Sequence, residues 1–138
     1  MIERIVIVAL LSLISVAAYK GFTWKQIKQA STSAPSDPLL FDRKAGVPTI
    51  VYFTTPTCAP CKLQQTPTLD KLQTELGENG VQVIRVDATE DPDAADRWGV
   101  FSVPTTFIVD HDGKPRHVHN GVVSAEKLKT QIQAIVVA

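Results

Sequence analysis

Cys58 and Cys61 frame the tetrapeptide Cys58-Ala59-Pro60-Cys61, and the 138-residue chain has no other cysteine. Two thiols at this spacing can close a small disulfide ring and reopen it by exchange. The pair follows a β-branched and aromatic run, residues 47–53 (VPTIVYF), and precedes a helical pattern, which puts it at a helix start. Unsatisfied N–H groups and the positive end of the helix dipole there favour the Cys58 thiolate. Lowering a thiol pKa from about 8.5 to about 7 raises the ionised fraction at neutral pH from a few per cent to roughly half. Cys61, one turn inside, is expected to be more buried, to stay protonated, and to resolve a mixed disulfide by attacking Cys58. Pro60 has no N–H to lose and presets φ for the first turn.

Other uses of the pair are weaker. Two cysteines cannot complete a four-thiolate zinc site. An inert disulfide closing so short a ring constrains little unfolded-state entropy. A metal site shared with His117 and His119 would need the pair to approach a strand on which both histidines face one side; an exposed edge strand is the plainer expectation for them.

The elements that must hold the pair are readable from the pattern. Residues 47–53 form a first strand, and 61–76 a helix carried by Leu63, Leu69, Leu72 and Leu76, with a kink at Pro67 and closure at Gly77 and Gly80. Residues 81–86 form a second strand, and 91–98 a short helix whose Asp91 and Asp93 suit its N-terminus. Residues 104–109 and 116–120 make a hairpin around the 110–113 turn, and Ser124 caps a last helix ending near Val136. Alternation of helix and strand predicts a parallel core with one antiparallel edge. Asp91, Asp93 and Asp96 read as a solvated helix face, and Asp87 as a turn residue.

Lys plus Arg and Asp plus Glu are each 14, so no basic excess exists to bind nucleic acid. The charge is uneven: residues 1–38 hold four basic and two acidic residues, and also an uncharged run, 5–18 (IVIVALLSLISVAA). Fourteen helical residues span about 21 Å; extension to Trp24, with Lys20 snorkelling and Phe22 and Trp24 at the interface, reaches about 30 Å. Residues 1–24 are therefore expected to be a transmembrane anchor, with a cleaved signal peptide as the alternative. Lys20, Lys25 and Lys28 against Arg4 argue for a cytoplasmic domain; a short N-terminus before an apolar run argues for export, and an extracytoplasmic domain is the expectation. Residues 25–38, small, polar and proline-containing, read as a tether without a core of its own, leaving 39–138 as the domain.

The stretch from Val47 onward resembles the thioredoxin family over about 90 residues. The carriers are Cys58-Ala59-Pro60-Cys61 after Val51-Tyr52-Phe53, Pro67-Thr68-Leu69-Asp70, Val86-Asp87, Trp98-Gly99-Val100, Val103-Pro104-Thr105 and Gly121. The resemblance implies an α/β thioredoxin fold, with a central mixed sheet of four to five strands flanked by helices. It implies thiol–disulfide exchange at Cys58 and Cys61, a cis bond before Pro104, and a substrate groove rimmed by Thr57, Pro60, Trp98, Val103, Pro104 and Gly121. Trp98 reads equally as core filling. Protein disulfides are then the substrates and a separate protein supplies electrons. No cofactor or metal is implied, and a monomer is expected. Proline as the second residue between the cysteines resembles reducing members, so the expected direction is reduction. The alternative is a copper or zinc carrier, since Thr57–Cys61 also loosely resembles a copper-chaperone loop.

Four positions depart from the family pattern. Thr57 stands where a tryptophan is usual. Tyr52 replaces the buried aspartate, and Val83 its lysine partner. Pro67 lies one residue further from the second cysteine. Water or a substrate group would then take the Cys61 proton.

Overall fold

β-branched and aromatic residues at 49–53 are all buried, and this strand (β1, Thr49–Thr54) lies inside a four-stranded sheet. The computed structural model describes residues 1–137. The other strands are β2 (Gln82–Asp87), β3 (Thr105–Val109) and β4 (Pro115–Asn120), in the order β2-β1-β3-β4. Helices α1 (Ile2–Ser33), α2 (Thr66–Leu76), α3 (Pro92–Arg97) and α4 (Ala125–Val137) complete the chain.

β1 pairs with β2 in parallel, but β3 runs antiparallel to β1, with Phe53 opposite Thr105. The expected parallel core is thus confined to one strand pair. The reason is the length of α3. Its six residues rise only about 9 Å, too little to carry the chain along a strand of about 20 Å. The chain therefore enters β3 from the end at which it left β2.

Each face of the sheet has its own core. On one, Val51, Phe53 and Phe107 pack with Trp98, Ala94, Ala30 and Val118. On the other, Ile50, Tyr52 and Ile108 pack with Leu69, Leu72, Leu128 and both cysteines. Trp98 is fully buried and stacks edge-on against Phe107, ring centroids 5.1 Å apart. It belongs to the face away from the cysteines and does not rim a groove, which corrects that expectation.

The segment 25–38 is not an extended tether. α1 continues to Ser33, and short 3₁₀ turns follow at Ala34–Ser36 and Pro38–Leu40. Ala30 and Ala34 are small enough to let the helix approach the sheet closely, and both are buried. Gln26 donates to the Gly99 carbonyl at 3.0 Å and pairs with the Asn120 side-chain amide at 2.9 and 3.1 Å. Gln29 donates to the Asp96 carbonyl and Ser33 to that of Arg97. Asp37, its side chain buried, accepts from the Trp98 indole N–H at 2.8 Å, from Arg97 Nε at 3.0 Å and from the Leu39 N–H. Burial alone would raise the Asp37 carboxyl, but these three donors more than offset it and hold it below the usual carboxylate range. No residue of the apolar stretch at the start of α1 is buried, and α1 is long and apolar enough to cross a membrane.

Candidate active site

The loop after β1 delivers Cys58 to the mouth of the following helix, and a five-residue π turn, Cys61–Gln65, precedes α2. A π turn accommodates one residue more than an α turn. The additional residue between Cys61 and Pro67 is absorbed there, so Pro67 enters at the first turn of α2, where a missing N–H is harmless. The register shift turns Leu63 outward, 77% exposed, although its spacing predicts a core position. Gln65 turns inward and is fully buried.

Cys58 and Cys61 are joined in a disulfide with Cα atoms 5.2 Å apart. Cys58 retains 8% exposure and Cys61 none. The Cys61 N–H donates to Cys58 Sγ at 3.2 Å, so a helix-start donor already points at the sulfur that would carry negative charge. Beneath the pair, the buried Tyr52 hydroxyl donates to the Cys61 carbonyl at 3.4 Å and shares a hydrogen bond with Thr66 Oγ1 at 3.3 Å. Both partners lie on the helix that starts at Cys61, so Tyr52 ties the sheet to the π turn.

Gln65 links this turn to the loop before α4. Its Oε1 accepts from the Val123 N–H at 2.8 Å and its Nε2 donates to the Val123 carbonyl at 3.3 Å. Two residues earlier, the Gly121 N–H donates to the Pro104 carbonyl at 2.8 Å, with Gly121 at φ +114°, a conformation that favours glycine. The Val103–Pro104 peptide is cis. Val103 is half-buried and packs against the cluster holding both cysteines, while Thr57 and Pro60 are exposed beside them and Pro104 is buried. A cavity of about 230 Å³ lined by Thr55, Phe101, Ser102 and Val103 opens next to this loop. Phe101, 65% exposed, edges it and meets the Phe22 ring of α1 at 5.1 Å.

The sequence profile of the thioredoxin family matches residues 41–134. The chain belongs to the thioredoxin family. Thioredoxin Y, chloroplastic, of Oryza sativa subsp. japonica is 30% identical over 115 residues, covering 83% of this chain and 66% of that protein. The thioredoxin of Rhodospirillum rubrum is 32% identical over 110 residues, covering 80% of this chain and all of that protein. Among solved structures, chloroplastic thioredoxin z superposes with a TM-score of 0.62 at 24% identity, over 80% of this chain and 90% of that one. Thioredoxin-2, described as a component of malaria parasite protein secretion machinery, gives 0.61 at 22% identity over 67% and 86%. These two carry the thioredoxin fold. With its Cys58–Cys61 disulfide, this thioredoxin-family chain is a thiol–disulfide oxidoreductase.

The carrier alternative finds no support in either the family match or the disulfide. Among the described residues no group of three or more His, Cys, Asp or Glu is placed to hold a metal ion. His117 and His119 are not the exposed edge residues expected. They face α4, where His119 Nε2 lies 2.7 Å from Gln131 Oε1. Burial holds both imidazoles below the usual range, with Arg116 contributing at His117, and Lys127 and His117 at His119. Sequence reasoning missed Gln65, Gln26 and Phe101. The additional residue before Pro67 is the one signal pointing to Gln65, and the Gln26, Ala30, Ala34 spacing is the signal for the docked half of α1.

Proposed function

We propose that this chain reduces protein disulfides, with Cys58 attacking and Cys61 resolving. The reading is supported above all by the asymmetry of the pair: Cys58 Sγ faces a backbone donor and keeps some exposure, whereas Cys61 has none. In the dithiol form, the Cys58 thiolate attacks one sulfur of a substrate disulfide. A Cys58–substrate bond forms and the other substrate sulfur leaves as thiolate. Cys61 then loses its proton to water and attacks Cys58 Sγ, releasing the second substrate thiolate. Two electrons pass to the substrate and the Cys58–Cys61 disulfide remains, to be reduced by a separate protein dithiol. Thr57, Pro60, Val103, Pro104 and Gly121 would rim the groove, the substrate pairing along Val103 as a short added strand. Residues 5–24 would hold the protein in a membrane with its domain on the extracytoplasmic side.

Insulin reduction by dithiothreitol tests the reading. Wild type should accelerate it and Cys58→Ser should not. Equilibration with glutathione buffers tests the direction; a potential near −120 mV, the strongly oxidising end of the scale, would overturn reduction. An impermeant maleimide applied to intact cells should label reduced Cys58 if the domain lies outside.

A further inference from the structure

The half of α1 that follows its apolar stretch is bonded to the two segments flanking Pro104. Phe22 stacks on Phe101, three residues before Pro104. Gln26 bonds the Gly99 carbonyl and Asn120, and Asn120 lies opposite Thr105 in the sheet, next to Gly121. With the span ending near Trp24, Phe22 stands at its edge and Gln26, at 1.5 Å per residue, about 3 Å beyond it along the helix axis. The headgroup layer of a bilayer leaflet is itself about 5–8 Å thick. If α1 spans, the Pro104 loop rides at the level of the headgroups, held there by a continuous helix with no flexible linker. Phe22, Trp24 and Phe101 are exposed aromatic rings at that height. A lipid-facing aromatic belt is found at this level.

Resting on the membrane-held, thiol-exchanging reading above, we propose that the disulfide Cys58 attacks belongs to an integral membrane protein and lies within the surface layer of the same leaflet. A rigidly held site reacts at high effective concentration with sulfurs at its own height, and at low effective concentration with those it cannot reach. The exposed Phe22–Phe101 pair, which joins the anchor helix to the Pro104 loop, favours a membrane-embedded partner over a soluble one.

The test uses the full chain, reduced, in phosphatidylethanolamine–phosphatidylglycerol vesicles. Single-span probe peptides carry one cysteine bonded to thionitrobenzoate. In the near probe this cysteine sits just beyond the apolar span; in the far probe it sits on a rigid helical extension about 30 Å higher. The Cys58 thiolate attacks the probe disulfide and thionitrobenzoate leaves as thiolate. Cys61 then attacks Cys58 and frees the peptide thiol. The near probe should react about tenfold faster than the far one. Seven helical residues inserted between Gly21 and Phe22 lift the domain about 10 Å and should abolish this preference. The insertion should leave the reaction with a soluble glutathione–thionitrobenzoate disulfide within about twofold, since it touches no site residue. Equal near and far rates in wild type, or a preference unmoved by the insertion, overturn the inference. Failure of the soluble probe overturns the thiol-exchange reading beneath it, and loss of the chain from carbonate-washed vesicles overturns the anchor reading; either takes the inference with it.

Discussion

Asp37→Ala removes the carboxylate that ties the start of the domain to Trp98. Its side chain is wholly buried and accepts from Trp98 Nε1 at 2.8 Å, from Arg97 Nε at 3.0 Å and from the Leu39 N–H at 3.0 Å. Leaving the buried indole N–H unpaired costs about 1–3 kcal/mol. Arg97 is about a third exposed and can turn to water, so its loss adds only about 0.5 kcal/mol. The freed Leu39 N–H adds about as much again. The sum is about 2–4 kcal/mol, and at about 4 °C per kcal/mol for a domain of this size the melting temperature should fall about 8–16 °C. Thermal melting of the full chain in detergent, followed by Trp98 fluorescence and circular dichroism, reads this directly. Asp37→Asn keeps an acceptor for the indole and should lose about half as much. The Asp37 carboxyl is held below its ordinary value in the folded state, so its contribution is complete above the unfolded pKa of about 3.9 and vanishes as pH falls through the folded value. The gap between wild type and Asp37→Ala should therefore close in strong acid. A fall under about 3 °C at neutral pH would refute the reasoning and return residues 25–38 to a loose tether.

Gln65→Leu strands the buried Val123 N–H and should cost about 2–3 kcal/mol in denaturant melts; a loss below about 0.5 kcal/mol would show that the clamp is not formed. Tyr52→Phe should keep insulin reduction within about threefold, because its hydroxyl bonds the Cys61 carbonyl and Thr66 and the Cys61 proton goes to water; a loss beyond tenfold would make Tyr52 a proton carrier. His119 titrates below its unfolded value of about 6.5, chiefly through burial, so the unfolded chain binds the proton first. Stability tied to His119 is present above about pH 6.5 and is lost as pH falls through the folded pKa. His119→Gln should flatten the decline of melting temperature as pH falls below about 6.5, and an unchanged slope would contradict this.

The cysteine pair and its setting were legible because each signal was local. A β-branched run, Pro60, and two thiols at fixed spacing place the Cys58–Cys61 disulfide at a helix start with little help from the rest of the chain. The strand boundaries, the Ser124 cap and the Asp91 cap followed from equally short-range chemistry. Features that depend on lengths and distant partners were harder. The direction of β3 is decided by how far a six-residue α3 can reach, not by the residues of β3. Leu63 leaves its expected core position and Gln65 is buried instead because a π turn absorbs one residue, and the leucine spacing alone carries no sign of it. Trp98 reads equally as rim or core, and a carboxylate 61 positions away holds it inside by accepting a hydrogen bond from its indole N–H. The polar composition of 25–38 suggested a solvated linker, but Gln26, Ser33 and Asp37 spend their polarity on the domain.

The central claim is that residue 58 attacks and residue 61 resolves. Reduced Cys61→Ser protein incubated with insulin, quenched in acid and examined by mass spectrometry, tests it most directly. The account predicts a stable mixed disulfide joining Cys58 to an insulin chain, and no comparable adduct in Cys58→Ser. Adducts formed as fast through Cys61 as through Cys58, or through neither, would contradict it.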